Sequence, residues 1–329
     1  MREVRELERL TQGGDVDAAA EYGRRMLNGE WGREHQQRGA EMLDAAAADG
    51  NGEAMALVAM MAGAGVYRPQ NWNQALDYLQ RSAELGWKQA QAQLALLSAD
   101  RELALRADSP GHWQALRRSI DVAAWIAAPP KQTISDSPRI RRVEQFIPAG
   151  VCAWMIMRGR GKLRPAQVYG ANAAATTDPG RTNTEADFSI VEVDLVLLLL
   201  RARIAGVTGL PTAVMELTKV LHYETGQQFN QHYDFIDPAA RGYEQEIAVR
   251  GQRIATFLVY LNDDYEGGET EFPTLGLRHR GRRGDALLFA NVDALGEPDR
   301  RTLHAGLPPT RGEKWLLSQW IRNRSPATG

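Results

Sequence analysis

Three glycines, Gly14, Gly50 and Gly86, recur at an interval of 36 residues, and this period constrains the fold of the first hundred residues more than any other feature. Ala18, Ala54 and Ala90 keep the same interval, as do the pairs Leu43 with Leu79 and Ala47 with Ala83. Between them runs a stretch rich in Ala, Leu, Gln and Glu whose apolar residues fall at three-and-four spacing, the mark of amphipathic helices. A unit of this length holds two helices and two turns. Such a unit cannot bury its apolar face alone, so successive units stack, and the small residues in register allow close helix approach; the reading is an α-solenoid. An irregular Ala-rich bundle is the competing reading, because Ala-rich helices generate chance alanine matches. Three glycines in register favour the repeat.

The repeat ends near residue 100. Helical stretches follow from Glu102, and then the double proline Pro129-Pro130, which cannot continue a helix, opens a polar run to Pro138. From Arg139 the pattern changes to short β-like runs, Leu217 to Tyr223, Arg253 to Leu261, Asp285 to Ala290 and Lys314 to Ile321, divided by turns such as Glu266-Gly267-Gly268. The expected fold class is therefore α+β and multidomain: a helical repeat domain over 1–105, a helical linker over 106–138, and a β-barrel or sandwich over 139–329. The stretch from Tyr169 to Asp187, rich in Ala, Thr, Asn and Gly, is expected to be a mobile loop that closes as a lid.

Composition excludes several function classes. A formal net charge of −2 offers no basic tail for nucleic acid. Cys152, the only cysteine, rules out an intramolecular disulfide and a cysteine-cluster metal site. Residues 1–10 alternate charged and apolar side chains without a leader-like hydrophobic stretch, and the longest apolar run, Leu195 to Leu200, falls far short of the roughly 20 residues that cross a bilayer. The expectation is a cytoplasmic protein that does not engage membranes.

The chemistry is carried by His232 and Asp234. On a strand, residues two apart share a face, so imidazole and carboxylate can hold one ion together. His304, in the run Arg301-Thr302-Leu303-His304-Ala305-Gly306, completes a two-histidine, one-carboxylate set, which leaves three adjacent positions on iron(II) open. Lys314 follows at the head of a β-like run. Its ammonium, if it points into a barrel, needs an anionic partner such as a carboxylate; the alternative is a lysine ending in solvent at a strand edge.

These residues sit in a series of blocks: ELTKVLHY at 216–223, GQQFNQHYD at 226–234, RIATFLVYLN at 253–262, GGETEFP at 267–273, GDALLF at 284–289 and HAGLPPTRGEKW at 304–315. In this order they resemble the prolyl 4-hydroxylase family of 2-oxoglutarate dioxygenases, over about residues 138–324. Residues 12–100 resemble Sel1-like, TPR-type repeats. The first resemblance implies a double-stranded β-helix (jelly roll) with His232, Asp234 and His304 on Fe(II), and with 2-oxoglutarate, O2 and ascorbate as the accompanying cofactors. It also implies that Lys314 pairs with the far carboxylate of 2-oxoglutarate, aided by Tyr260 and Thr256, with Tyr223 nearby. Spacing supports part of this, since Thr256 and Tyr260 share one strand face and Lys314, Trp320 and Arg322 share another.

By the same resemblance Glu216, Arg253, Trp320 and Arg322 lie where a peptide substrate would bind. Phe229 stands where prolyl hydroxylases usually carry a tyrosine, and Arg322 replaces a frequent histidine, so the target residue is less constrained than the oxygenase chemistry. The expected function is hydroxylation of an unactivated C–H bond, foremost of a prolyl residue in a peptide or protein docked by the repeats, with release of succinate and CO2. Two alternatives stand beside it: a hydroxylase of a free amino acid or other small molecule, and a non-catalytic repeat adaptor, which the intact set of metal-binding residues argues against.

Overall fold

The computed structural model describes residues 2–105, 110–169, 175–239 and 242–325. Its helices are α1 (Arg2–Gln12), α2 (Val16–Leu27), α3 (Gln36–Ala48), α4 (Gly52–Ala64), α5 (Trp72–Glu84), α6 (Lys88–Leu97), α7 (Arg101–Ala104), α8 (His112–Ser119), α9 (Val122–Ile126), α10 (Ala149–Arg160), α11 (Leu195–Thr208) and α12 (Glu244–Arg250). Its strands are β1 (Gln132–Asp136), β2 (Arg139–Val143), β3 (Arg164–Pro165), β4 (Val168–Tyr169), β5 (Ala175–Thr176), β6 (Thr184–Asp187), β7 (Lys219–Tyr223), β8 (Phe229–His232), β9 (Arg253–Tyr260), β10 (Glu266–Gly267), β11 (Thr270–Phe272), β12 (Leu277–His279), β13 (Ala286–Ala290), β14 (His304–Gly306), β15 (Pro309–Arg311) and β16 (Lys314–Arg322). Two compact units result, one of Met1–Ala127 with Phe188–Arg203, the other of Ala128–Asp187 with Ile204–Gly329.

In the first unit the 36-residue period appears as repeated turn chemistry. Gly14, Gly50 and Gly86 precede α2, α4 and α6 with φ of 85°, 92° and 89°, a conformation that a Cβ penalises. Each donates its N–H to the carbonyl three residues back, on Thr11, Ala47 and Ala83. Asp15 and Asn51 then cap the following helices, accepting from the backbone N–H of Ala18 and Ala54. Ala18, Ala54 and Ala90 are all buried, as the register argument requires. Where the sequence suggested a linker, α8 completes a third hairpin with α6: Leu116 is buried and Arg117 pairs with Asp77 of α5 at 2.8 Å.

The apolar run Leu195 to Leu200 is core, as expected, and begins α11. Its N-terminal part belongs to the helical unit, where Gln93 Oε1 accepts from Leu195 N–H at 3.0 Å and Leu198 packs on the cluster of Leu27, Leu43 and Met61. Nothing local in the sequence signals that residues 188–203 return to the helical unit.

The second unit is the expected double-stranded β-helix. An antiparallel eight-stranded sheet, in the order β1-β2-β13-β9-β16-β7-β6-β3, faces a four-stranded sheet in the order β12-β11-β14-β8. Alternation decides the interior: Leu221, Tyr223, Leu258, Tyr260, Phe289 and Leu316 from the large sheet meet Phe272 from the small one. Strands β7 and β16 are buried at every position, and α10 covers the outer face of β7, with Gly159 close against Val220.

One register shift positions the site. Trp320 pairs with Thr256, Ile321 with Ala255 and Arg322 with Arg253, which leaves Ile254 as the extra residue of a bulge. The bulge turns Arg253, which strict alternation points outward, toward Trp320.

The expected lid is corrected by the described residues. Residues 170–174 lie outside them, but β4, β5 and β6 all fall within Tyr169 to Asp187 or at its edge, and β6 pairs with β7. Arg181 is only 6% exposed, so it is not a protease-accessible loop residue. Composition misled because the polar residues here hydrogen-bond a neighbouring strand: Thr182 exchanges bonds with Gln228, and Asn230 N–H donates to Gly180 O at 2.7 Å.

Candidate functional site

The site is assembled on the small sheet. His232 and His304 sit opposite one another on paired strands β8 and β14, and Asp234 follows just past the end of β8. Ligand atoms of the three side chains lie within 4.8 Å of one another. His232 Nε2 is 3.6 Å from Asp234 Oδ1, and His304 Nε2 is 3.4 Å from Asp234 Oδ2. Each imidazole is oriented from behind by a carbonyl two residues earlier, Asn230 O at 2.7 Å and Thr302 O at 2.9 Å from the Nδ1 atoms. That contact fixes Nδ1 as the protonated nitrogen and turns the Nε2 lone pairs inward.

Asp234 has its own support. Thr256 Oγ1 donates to Asp234 Oδ2 at 2.6 Å, and Asn291 Nδ2 donates to Thr256 Oγ1 at 3.0 Å. Burial works to raise the Asp234 carboxyl, but the His304 and His232 rings and the Thr256 hydroxyl outweigh it and hold it well below the usual carboxylate range. Burial, with the neighbouring His304 ring, pushes His232 down to about 3. An ionised Asp234 beside a neutral His232 imidazole in a buried space is the pairing a divalent cation requires of such donors.

An inner chamber of about 40 Å³ opens beside these residues, lined by Tyr223, Leu258, Thr270, Leu316, Ser318 and, at its end, Lys314. Lys314 is fully buried, donates to Gly268 O at 2.7 Å and stands 5.1 Å from the centre of the Tyr223 ring. Among the described residues no carboxylate forms an ion pair with it, and burial pushes its ammonium down to about 7. A buried cation in that state lacks an anion. The two-histidine, one-carboxylate donors and the uncompensated lysine facing the same chamber therefore fit a divalent iron and a dicarboxylate together.

The remaining expected residues are placed differently from one another. Tyr260 is fully buried, and its hydroxyl lies 3.0 Å from Thr270 Oγ1, which lines the inner chamber. Tyr223 lines the chamber itself, its hydroxyl pushed up to about 12 by burial. Thr256 stands behind Asp234 rather than on the chamber wall.

Glu216 precedes β7. It grips Arg253 through both carboxylate oxygens, at 2.6 and 3.0 Å, and Arg322 Nε at 2.6 Å. Arg322 is 2% exposed and also reaches Glu246 of α12 and the Gly251 carbonyl, so it is a buried brace and not part of a chamber wall. Arg253 lies 3.9 Å from the centre of the Trp320 ring, and both line a second chamber of about 340 Å³ that contains His232 and Asp234.

Three contributors escaped the sequence reading. Thr270 and Asn291 carried no motif signal of their own beyond lying in or beside the quoted blocks. Arg181 closes the seam between the two chambers: its guanidinium sits 4.4 Å from the Phe229 ring, which stacks on His232 at 3.5 Å between centroids. Glu185, 1% exposed, anchors Arg181 at 2.8 Å and also binds Lys219.

The family model described as the 2OG-Fe(II) oxygenase superfamily matches residues 218–322. The chain is 34% identical over 217 residues to the probable prolyl 4-hydroxylase 9 of Arabidopsis thaliana, an alignment covering 60% of this chain and 74% of that one. Among solved structures, a viral collagen prolyl hydroxylase from Paramecium Bursaria Chlorella virus-1, in its 2OG complex, matches with 26% identity over 57% of this chain and 98% of its own, at a TM-score of 0.44. A Sel1 repeat protein from Oxalobacter formigenes matches with 24% identity over 36% of this chain and 90% of its own, at a TM-score of 0.29. Among the described residues no helix is long and apolar enough to cross a membrane.

Proposed function

The chain belongs to the prolyl 4-hydroxylase family of 2OG-Fe(II) oxygenases, which use Fe(II), 2-oxoglutarate and O2, and from that premise we propose that it hydroxylates a prolyl residue in a peptide or protein. The observation that carries the reading is the convergence of His232, Asp234, His304 and the uncompensated Lys314 on one buried chamber. His232, Asp234 and His304 are assigned to the iron. Lys314 is assigned to the distal carboxylate of 2-oxoglutarate, with Thr270, Tyr260 and Tyr223 around it.

Bound there, iron with 2-oxoglutarate and dioxygen supplies the oxidant for an unactivated C–H bond, with succinate and CO2 as co-products. The protein's own part is positional. The backbone carbonyls of Asn230 and Thr302 hold both imidazoles with Nε2 inward, and the Thr256 hydroxyl keeps Asp234 ionised and oriented. Lys314, near neutrality when unpaired, is held protonated by an arriving carboxylate, which fixes the co-substrate at one end. Leu221, Leu258 and Leu316 keep the inner chamber apolar and short of water. The wider chamber bounded by Arg253 and Trp320 receives the target residue.

Two finer assignments accompany this one. Ascorbate serves as the accessory reductant, and the helical repeats recruit the polypeptide, since stacked hairpins present extended surfaces suited to chains. The test is succinate formation under air with added Fe(II), against a panel of proline-containing peptides and free amino acids, with hydroxyproline read by mass spectrometry. Peptide-stimulated turnover is expected; stimulation by a free amino acid alone would replace the peptide reading with the small-molecule one.

A further inference from the structure

A third chamber, of about 520 Å³, adjoins the one that contains the metal-binding residues and shares Glu246, Arg253 and Trp320 with it. Its distinctive wall is apolar. Leu217, on the turn before β7, and Val249, on α12, are 55% and 49% exposed, among the few large apolar side chains left open to solvent in the described residues. Both line this chamber.

The charged groups around it are matched within the protein. Glu216 binds Arg253 and Arg322, Glu246 binds Arg322 and is approached by the half-exposed Arg250 at 3.9 Å, Lys219 binds Glu185, and Asp187 binds Arg164. A charged ligand side chain would compete with these pairs, whereas an aliphatic one would cover Leu217 and Val249 without disturbing them. A second observation points the same way. Trp320 lines all three chambers, so its ring is a continuous apolar wall from the metal-binding residues to Leu217 and Val249.

Resting on the peptide reading above, we infer that this third chamber is a specificity subsite for an uncharged aliphatic side chain flanking the hydroxylated residue of an extended peptide. Its distance sets which neighbour it reads. Arg253 lies three residues along β9 from Thr256, the partner of Asp234, which is about 10 Å at the rise of a strand. With its target in the chamber that Arg253 and Trp320 bound, a peptide therefore carries a residue two or three positions away past these two side chains and into the third chamber. The alternation of an extended chain then lets that side chain fall between Leu217 and Val249.

The test uses the full-length protein with Fe(II) and 2-oxoglutarate and a set of peptides bearing Leu, Ser, Asp or Lys at each position two or three residues from the target. At one of these positions kcat/KM is expected to favour Leu over both Asp and Lys by about tenfold or more. In Val249→Asp, and separately in Leu217→Asp, the order is expected to reverse so that the Lys peptide exceeds the Leu peptide, a gain that misfolding cannot produce. Equal kcat/KM for all four side chains at every position, in a protein that does hydroxylate the peptides, would overturn the subsite and leave the peptide reading standing. Hydroxylation of no peptide, with free amino acids turned over, would overturn both.

Discussion

Replacing Thr256 by valine removes one hydroxyl and almost no volume, so it isolates the hydrogen bond to Asp234. The bond is 2.6 Å long, fully buried and made to a carboxylate. Hydrogen bonds to charged groups contribute about 1.5–3 kcal/mol. If the whole of this falls on the metal-bound state, where Asp234 must be ionised and fixed in direction, Thr256→Val weakens divalent-metal binding by about 10- to 150-fold. The variant also leaves Asn291 Nδ2 without the acceptor it has at 3.0 Å, which adds to the loss. Losing the donor raises the Asp234 carboxyl, so the variant's metal affinity falls off at a higher pH than that of the parent.

The assay is anaerobic titration with Fe(II), or with Co(II) as a spectroscopic substitute, alongside thermal unfolding of the metal-free protein. Metal affinity should drop while the metal-free protein keeps its transition within a few degrees. A dissociation constant changed by less than about threefold, equivalent to under about 0.7 kcal/mol, would refute the role given to Thr256.

Lys314 links the co-substrate to pH. Its folded value near 7 lies below the ordinary 10.5, so between these pH values the unfolded chain carries a proton that the folded chain lacks and stability rises with pH; 2-oxoglutarate should then bind with proton uptake and progressively more weakly above pH 7, as calorimetry in two buffers will show, and Lys314→Met should abolish the uptake. Glu216→Gln withdraws the carboxylate that faces Arg253 and Arg322, leaving buried guanidinium charge uncompensated, and should destabilise the protein by about 3–5 kcal/mol in urea titration; an unchanged midpoint would refute the brace. Gly86→Ala forces a Cβ into the left-handed region at φ 89° and should cost about 1–2 kcal/mol in thermal unfolding, which a fold without the repeated turn would not show.

The parts legible in the sequence were those written as local periodicity or as several blocks in order. The interval of Gly14, Gly50 and Gly86 reports a backbone conformation, and a period of that kind survives in the fold. His232 and Asp234 were recognisable as a pair because two-residue spacing is a strand's own period. Residues whose roles depend on distant neighbours were not legible. Thr256 shares a face with Tyr260, as alternation requires, yet its hydroxyl is taken by Asp234, a contact set by the path of the chain after β8. Arg322 was placed at the substrate by resemblance; Glu216, just before β7, and Glu246, on α12, enclose it instead. The stretch from Tyr169 to Asp187 read as loop because its pairing partner, β7, lies far along the chain and its own apolar content is low.

Strand β16 carries Lys314, Ser318 and Trp320, and it lies in the interior of the large sheet, between β9 and β7. It is the latest strand in chain order, so during synthesis the sheet stands divided into two halves, each with an open edge, until these residues have left the ribosome. Pairing across such sequence separation is slow, and open edges invite association between chains in the meantime. A premature stop before Lys314 would thus do more than delete one binding residue: it would leave an unclosed barrel, and in a cell its first phenotype should be aggregation and clearance rather than the accumulation of an inactive enzyme.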